Sequence, residues 1–244
     1  MKPALRHLSV LLMSILLLST LAQASFANEH VLIYRGPGTC PNCAESIGDV
    51  LKEMPGVTFE YVRPSEITAE RLRDARLYVQ GAGTDDVTVT IRALGPRRIQ
   101  LLRDFVARGG SYLGICAGAY LAGPTVDGRN DLRAFGFVSH ELDPELVDTR
   151  AHVLPVKWRG EVIPLYYQAG PWIRPEGLER PDLWANYARS GRPAAVLGSW
   201  QGGKVGLVGP HPEATAEWFI EDHLPVPERT YVELAREFIR ALLR

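Results

Sequence analysis

The sequence predicts an α/β protein in which a mostly parallel β-sheet is covered by helices on both faces. Two observations favour this class. Short apolar runs, typical of buried strands, alternate strictly with helical patterns through the first half of the chain. The chain has 244 residues, 46% of them apolar, which is enough for one full-sized domain with a buried core.

The first 27 residues have the layout of a secretory signal peptide. Lys2 and Arg6 precede an apolar run at 8–21, and small residues follow. Cleavage is expected after Ala24 or Ala27. The alternative, an uncleaved membrane anchor, needs a longer apolar run than this one. We therefore expect a periplasmic or secreted protein with no membrane association after cleavage.

Four pairs of one strand and one helix follow the signal. Glycines and prolines mark most of their ends. Strict alternation of this kind implies βαβ units and parallel strands. The predicted strands are 31–34, 58–62, 77–80 and 111–113, and the predicted helices are 44–54, 67–75, 97–107 and 119–122.

The second half of the chain is richer in strand patterns. The segment Gln201-Gly202-Gly203 predicts a tight hairpin between the last two strands. No linker divides the chain after the signal, so residues 28–244 are expected to form a single domain. The predicted strands are 153–158, 162–168, 194–200 and 204–208, and the predicted helices are 214–221 and 231–243.

The strongest local signal is Gly114-x-Cys116-x-Gly118, between a predicted strand and a predicted helix. A nucleophile on such a sharp turn needs small neighbours, and the following helix points its N-terminus at the sulfur. The pattern predicts a nucleophile elbow, with the amide of Ala117 as an oxyanion donor. The alternative is a buried core cysteine flanked by packing glycines.

A thiolate nucleophile needs a base that is close in space. His211 directly follows the strand at 204–208, so it is expected at the same sheet edge as Cys116. Glu213, two residues later, is placed to hold the imidazole in one tautomer. The alternative is a surface loop histidine. The other histidines are weaker candidates, including His152, which is expected in an irregular polar stretch.

The loop Gly81-Ala82-Gly83 ends the third predicted strand and is a candidate for the second oxyanion donor, because glycine lets the backbone approach a substrate closely. The alternative is an ordinary flexible turn. Asp85 and Asp86 follow, either as contacts for a cationic group of the substrate or as a solvated loop.

Cys40-Pro41-Asn42-Cys43 lies between the first strand and the first helix. The sequence leaves two main interpretations open: a structural disulfide, as expected in an oxidising compartment, or a thiol-redox site or switch beside Cys116. Two ligands close in sequence fit a metal site poorly, and no metal is predicted.

Taken together, these motifs resemble the class I glutamine amidotransferase superfamily. The nearer likeness is to the N-terminal domain of biotin–protein ligases and its stand-alone relatives. It rests on residues 34–39, 116–121, 166–171 and 209–213 and extends over nearly all of the mature chain. The resemblance implies a flavodoxin-like three-layer sandwich, a triad of Cys116, His211 and Glu213, and attack on a carboxamide with release of ammonia.

Three departures separate the chain from true glutaminases of this class. Tyr120 stands four residues after Cys116, where they usually carry Gln. An exported protein also has no obvious synthase to receive ammonia, and no biotin-ligase catalytic domain follows. Tyr120, Tyr167 and Gly170 are candidates for the substrate pocket, and the neighbouring Tyr166 and Trp172 could also line it, although aromatic residues at strand ends often pack in the core.

The sequence thus favours an exported, cysteine-dependent hydrolase or transferase acting on a carboxamide or related acyl substrate. Two alternatives remain: a non-catalytic ligand-binding or regulatory module on the same fold, and a redox protein centred on Cys40 and Cys43. The expected partner is a small molecule or a peptide. A formal net charge of −1 gives no basic face for nucleic acid, and no cofactor is predicted.

Overall fold

The computed structural model of the protein describes residues 29–244. The predicted signal peptide lies outside the described residues. None of the helices within this part of the chain has a stretch long and apolar enough to cross a membrane.

The first half of the described chain consists of strands and helices in the predicted alternating order. Helix α3 begins earlier than predicted, because its residues before the Gly95-Pro96 kink were not recognised as helical; Gly95 has a φ of 66°. The strands are β1 (Glu29–Tyr34), β2 (Val57–Val62), β3 (Leu77–Gln80) and β4 (Ser111–Ile115), and the helices are α1 (Cys43–Lys52), α2 (Ala69–Asp74), α3 (Thr88–Ala107) and α4 (Ala117–Tyr120).

The second half adds seven strands and two helices. The predicted hairpin between the last two strands is confirmed: Trp200 pairs with Gly203, and Gln201 turns the chain with a φ of 52°. The strands are β5 (Thr125–Val126), β6 (Arg129–Arg133), β7 (Ala151–Trp158), β8 (Glu161–Gln168), β9 (Glu179–Tyr187), β10 (Pro193–Trp200) and β11 (Gly203–Val208), and the helices are α5 (Ala216–Glu221) and α6 (Val232–Leu243).

Nine of these strands form one mixed sheet in the order β2-β1-β3-β4-β11-β10-β9-β7-β8. The first five in this order are parallel, and the remaining neighbours pair antiparallel. The fold is α/β, as predicted. Strands β5 and β6 form a separate two-stranded ribbon.

Strands β1, β3 and β4 are buried on both faces along most of their length, which explains why they read as short apolar runs. In β1, Val31 and Ile33 face a core shared with α1 and α6, whereas Leu32 and Tyr34 face a core shared with α2 and α3. Helices therefore cover both faces of the sheet, and the predicted three-layer arrangement is confirmed.

Three strands of the second half, β5, β6 and β9, were not predicted, and one expectation was wrong. Strand β9 was missed because its first five residues are exposed and polar or Pro, apart from Leu183, so it lacks an apolar run. His152 was expected in irregular chain, but it lies in β7, where its Nε2 atom is 2.8 Å from a carboxylate oxygen of Asp148.

Candidate active site

Cys116 lies on a strained turn between β4 and α4. Its φ of 51° and ψ of −107° are unusual for a residue with a side chain, and its amide donates to the carbonyl oxygen of Val208 at 2.8 Å. The residue is 8% exposed. Helix α4 is a single turn, so its dipole is smaller than the sequence suggested.

The two glycines of the elbow are required by close backbone packing. A Cβ atom on Gly118 would lie 1.9 Å from the carbonyl oxygen of Gln80, and one on Gly114 would lie 2.5 Å from the carbonyl oxygen of Gly118. Both distances are far below van der Waals contact. The turn that carries Cys116 therefore depends on glycine at both positions.

His211 lies in the loop after β11, at the same edge of the sheet as Cys116. Val208, the last residue of β11, pairs with Ile115, the last residue of β4, in a parallel register. The amide of His211 donates to the carbonyl oxygen of Tyr166 at 2.9 Å, which fixes the loop after β11. Residues that are far apart in sequence thus meet because two neighbouring strands end at the same level.

Glu213 holds the ring of His211. Its Oε1 atom is 2.8 Å from Nδ1 of His211, and the two residues are only 1% and 3% exposed. The Oε2 atom of Glu213 is buried and has no hydrogen-bond partner within residues 29–244. A half-satisfied buried carboxylate is costly, which favours a functional role for the pair over a packing role.

The electrostatics of His211 link it to Cys116. Burial works against the charged imidazolium, but the negative charges of Glu213 and of the Cys116 sulfur, together with hydrogen bonds to both, outweigh burial. The net effect holds the pKa of His211 well above its usual range. The structure therefore brings all three predicted triad residues, Cys116, His211 and Glu213, into one interacting group.

The candidate oxyanion donors surround the elbow. The amide of Ala117 makes none of the backbone hydrogen bonds found in residues 29–244. The carbonyl oxygen of Gly81 accepts from the amide of Gly118 at 3.2 Å, and Ala82 and Gly83 line the cavity above Cys116. A Cβ atom on Gly83 would lie 3.0 Å from the Cβ of Ala117. The loop predicted to supply the second donor is thus packed against the first.

Sequence reasoning missed a second hydrogen-bond partner of the nucleophile. The Sγ atom of Cys116 lies 3.4 Å from the carbonyl oxygen of Gln168, at the end of β8, to which the thiol donates. Ala169 follows with a φ of 50°, and its carbonyl oxygen accepts from the hydroxyl of Tyr120 at 2.7 Å. No local sequence pattern marks Gln168, because the contact is made by backbone.

Tyr120 lines the cavity, but the other two predicted pocket residues do not. Tyr167 is fully buried, and its hydroxyl oxygen accepts from the amide of Leu146 at 2.8 Å. Gly170 packs so tightly that a Cβ atom there would lie 2.0 Å from the carbonyl oxygen of Gly209. Tyr166, the neighbouring candidate, does line the cavity.

Cys40 and Cys43 form a disulfide with a Cα–Cα distance of 5.5 Å. Both cysteines line the cavity that also contains Cys116, the one free cysteine among the described residues. The adjoining loop is tied to the glycine loop, because the carbonyl oxygen of Gly38 accepts from the amide of Thr84 at 2.9 Å. The disulfide therefore closes one wall of the site.

A cavity of about 1110 Å³ opens above the triad. Its floor includes Cys116, Ala117 and His211, and its walls come from both halves of the chain. Tyr166 and Trp218 pack on the ring of His211 from the cavity side, with ring centroids 5.5 and 5.1 Å away. Within the described residues, no three His, Cys, Asp or Glu side chains are grouped as in a metal site.

Comparison with protein families supports the predicted resemblance. Residues 29–136, which include Cys116 but not His211, match the model of the family described as "Biotin-protein ligase, N terminal". None of the curated proteins matches the chain.

Solved structures with this fold include glutamine amidotransferases. One is 18% identical, with a TM-score of 0.58 over 86% of this chain and 97% of that chain. A glutamine amidotransferase from Thermotoga maritima is 15% identical, with a TM-score of 0.53 over 88% and 89%. A putative ThuA-like protein from Bacteroides uniformis is 11% identical, with a TM-score of 0.55 over 88% and 91%. The chain therefore has a glutamine amidotransferase-like fold.

The packing of Gly118 gives a first testable prediction. Gly118→Ala is expected to destabilise the protein by about 3 kcal/mol or more, because the new methyl group would meet backbone that cannot move aside. Gly81→Ala is the matched control, since its Cβ would meet nothing closer than 3.8 Å. Urea unfolding measures both, and equal losses of stability would contradict the steric role of Gly118.

The raised pKa of His211 gives a second prediction, on stability against pH. A group whose pKa is higher in the folded state stabilises the protein fully below its unfolded-state pKa, which is about 6.5 for histidine. This stabilisation disappears as the pH rises through the folded-state pKa. The wild-type free energy of unfolding, relative to His211→Gln, should therefore be largest below about pH 6.5 and shrink at alkaline pH. Denaturant titrations across pH measure this difference, and a difference that grows with pH would contradict it.

Proposed function

We propose that the protein is a cysteine-dependent hydrolase or acyl transferase that acts on a carboxamide or a related acyl compound. The observation that carries this proposal is the single interacting group of Cys116, His211 and Glu213 at the floor of a large open cavity. The glutamine amidotransferase-like fold is consistent with it.

In the first half of the proposed reaction, the proton of the Cys116 thiol passes to His211 and the thiolate attacks the carbonyl carbon. The carbonyl oxygen takes the negative charge and receives a hydrogen bond from the free amide of Ala117. As the carbon–nitrogen bond breaks, His211 gives its proton to the leaving nitrogen. Ammonia or an amine departs, and a thioester to Cys116 remains.

In the second half, water attacks the thioester while His211 accepts one of its protons. The carbon–sulfur bond then breaks, a carboxylic acid leaves, and Cys116 regains a proton. An amine or alcohol in place of water gives acyl transfer. Glu213 keeps Nδ1 of His211 protonated throughout, so that Nε2 is the atom that exchanges protons.

The site departs from that of a glutaminase in one respect. The hydroxyl of Tyr120 is bonded to the protein's own Ala169, so this side chain fixes the cavity wall instead of presenting an amide to a ligand. We therefore propose a substrate other than free glutamine.

We also propose that the protein functions outside the cytoplasm. The layout of residues 1–27 is that of a signal peptide, and the disulfide between Cys40 and Cys43 fits an oxidising compartment. Mass spectrometry of the protein from a fractionated host tests this, because cleavage after Ala24 or Ala27 gives defined N-termini. Full-length protein in the cytoplasm would contradict export.

The second candidate function is a ligand-binding module without turnover. The contact that favours it is the hydrogen bond from the Cys116 thiol to the carbonyl oxygen of Gln168, since it engages the thiol within the protein itself. A third candidate, thiol–disulfide exchange at Cys40 and Cys43, is favoured by their position in the cavity wall.

The reactivity of Cys116 separates the first two candidates. With iodoacetamide at about pH 7, the enzyme proposal predicts alkylation about tenfold or more faster than that of a free thiol, because His211 stabilises the thiolate. His211→Gln and Glu213→Gln should both slow it. His140→Gln is the matched control, since His140 is exposed and does not line this cavity.

Intact mass spectrometry follows the reaction on the oxidised protein. A free-thiol rate that does not change in His211→Gln would contradict catalysis and favour the binding module. Reactivity that appears only after reduction and maps to Cys40 and Cys43 would favour the redox candidate.

Turnover is tested directly by ammonia release from a panel of primary carboxamides. The wild type should release ammonia from at least one member, and Cys116→Ser should lower the rate by about a thousandfold or more, because the nucleophile is lost. His140→Gln, at an exposed residue outside the cavity, checks that an unrelated change leaves the reaction measurable. Equal rates for wild type and Cys116→Ser would contradict the proposed mechanism.

A further inference from the structure

The cavity above Cys116 is acidic throughout. Ten aspartate and glutamate residues line it, whereas no lysine or arginine does, and His211 at its floor is the sole histidine. The whole chain, by contrast, has 27 basic and 28 acidic residues, so this segregation is local. The acidic residues are Glu45, Asp49, Asp85, Asp127, Glu141, Asp143, Asp148, Glu217, Glu221 and Asp222.

Most of this negative charge is not neutralised by the protein itself. Glu45, Asp49, Asp143 and Asp148 form ion pairs with lysine or arginine residues that lie outside the cavity wall. The other six have no lysine or arginine partner within 4.0 Å among residues 29–244. A positively charged ligand would therefore find carboxylates that the described part of the fold leaves without a lysine or arginine partner.

Three of these six lie on one wall, on α5 and just after it: Glu217, Glu221 and Asp222. The hydroxyl of Tyr166 donates to Asp222, and the ring of Tyr166 packs on His211. Burial raises the pKa of Tyr166, and the hydrogen bond to Asp222 and the charges of Asp222, Cys116 and Glu221 raise it further. The acidic wall thus begins directly beside the group formed by Cys116, His211 and Glu213.

An aromatic side chain lies within the same wall. Trp218, one residue after Glu217, lines the cavity and packs edge-on against Tyr166 with ring centroids 5.2 Å apart. The face of an indole ring attracts ammonium and guanidinium groups. Carboxylates and a half-buried aromatic ring that lines the cavity together form the kind of surface that recognises organic cations.

The distribution of the acidic residues argues against a single metal ion as the occupant. They are spread around the cavity, and no three metal-ligating side chains of the described residues are grouped in one place. A metal ion needs its ligands within about 2 to 2.6 Å. Positive charge distributed along an organic molecule fits this wall better.

We propose that the substrate is an organic cation: an acyl compound whose amine or guanidinium group lies against the wall formed by Glu217, Trp218 and Glu221 while its carbonyl carbon meets Cys116. This inference rests on the proposed function, because it names the substrate class of the same site. An anionic substrate is disfavoured, since a carboxylate has no lysine or arginine to pair with in this cavity.

Thiol reagents of opposite charge test the proposal. Trimethylammonium-ethyl methanethiosulfonate and sulfonato-ethyl methanethiosulfonate carry the same reactive group. In both, the Cys116 thiolate attacks the sulfenyl sulfur, a mixed disulfide forms, and methanesulfinate leaves with the electron pair. Each rate is divided by the rate of the same reagent with a small free thiol, and Cys116→Ser identifies any reaction at the Cys40–Cys43 disulfide.

The cationic reagent is expected to modify Cys116 at least about tenfold faster than the anionic one after this correction. The ratio of the cationic to the anionic rate should fall towards one as ionic strength rises from about 0.01 M to about 1 M, because the Debye length shortens from about 30 Å to about 3 Å. The double variant Glu217→Gln, Glu221→Gln should lower the ratio. The double variant Glu53→Gln, Glu237→Gln is the control, because it removes two exposed charges outside the cavity.

Circular dichroism of both double variants checks that they are folded. Equal corrected rates for the two reagents, or a faster anionic reagent, would overturn the proposal, as would a ratio lowered equally by both double variants. A preference for the cationic reagent at a rate that does not change in His211→Gln would support a cation-binding cavity and count against catalysis. The proposed substrate charge and the proposed catalytic function can therefore fail separately.

Discussion

The parallel pairing of β4 with β11 is the constraint on which the site depends. Cys116 and His211 are far apart in sequence, and they meet because Ile115 and Val208 end their strands side by side. The amide of Cys116 also donates to Val208, so the turn is anchored to the strand that delivers the histidine. The carboxyl ends of parallel strands lie at one edge of a sheet, so the cavity lies at the edge where β4 and β11 end.

The buried ion pair of His211 and Glu213 is difficult to explain by stability alone. Removing two charged groups from water costs several kcal/mol, and one oxygen of Glu213 recovers no hydrogen bond. Apolar side chains of similar size would fill the same space at lower cost. The arrangement is reasonable where a protonated imidazole must be held beside a sulfur atom, which is the condition that keeps a thiolate stable in a nearly buried site.

The sequence was most informative where structure follows from local pattern. The limits of β3 and the position of the elbow could be predicted, because an apolar run and two glycines are short-range signals. The sequence could not separate Tyr166 from Tyr167 as the cavity residue, because neighbouring residues of a strand point to opposite faces and only the fold decides which face meets the cavity. Asp85, expected either to contact a cationic group or to lie in a solvated loop, does line the cavity. The rest of the acidic lining and the Gln168 contact were out of reach, since they combine residues from separate segments that only the fold brings together.

Two partners compete for the sulfur of Cys116, and their chemistry differs. The carbonyl oxygen of Gln168 can only accept a hydrogen bond, so it stabilises the thiol, whereas protonated His211 can only donate through Nε2, so it stabilises the thiolate. Tyr120 holds the strained Ala169 peptide beside Gln168 in place. A ligand that donates an N–H group to the Gln168 oxygen would occupy the acceptor that favours the thiol. The sulfur would then have His211 as its remaining partner. An ammonium or amide group can donate in this way and a carboxylate cannot, so the backbone at the floor and the carboxylates of the wall disfavour the same kind of ligand, an anion.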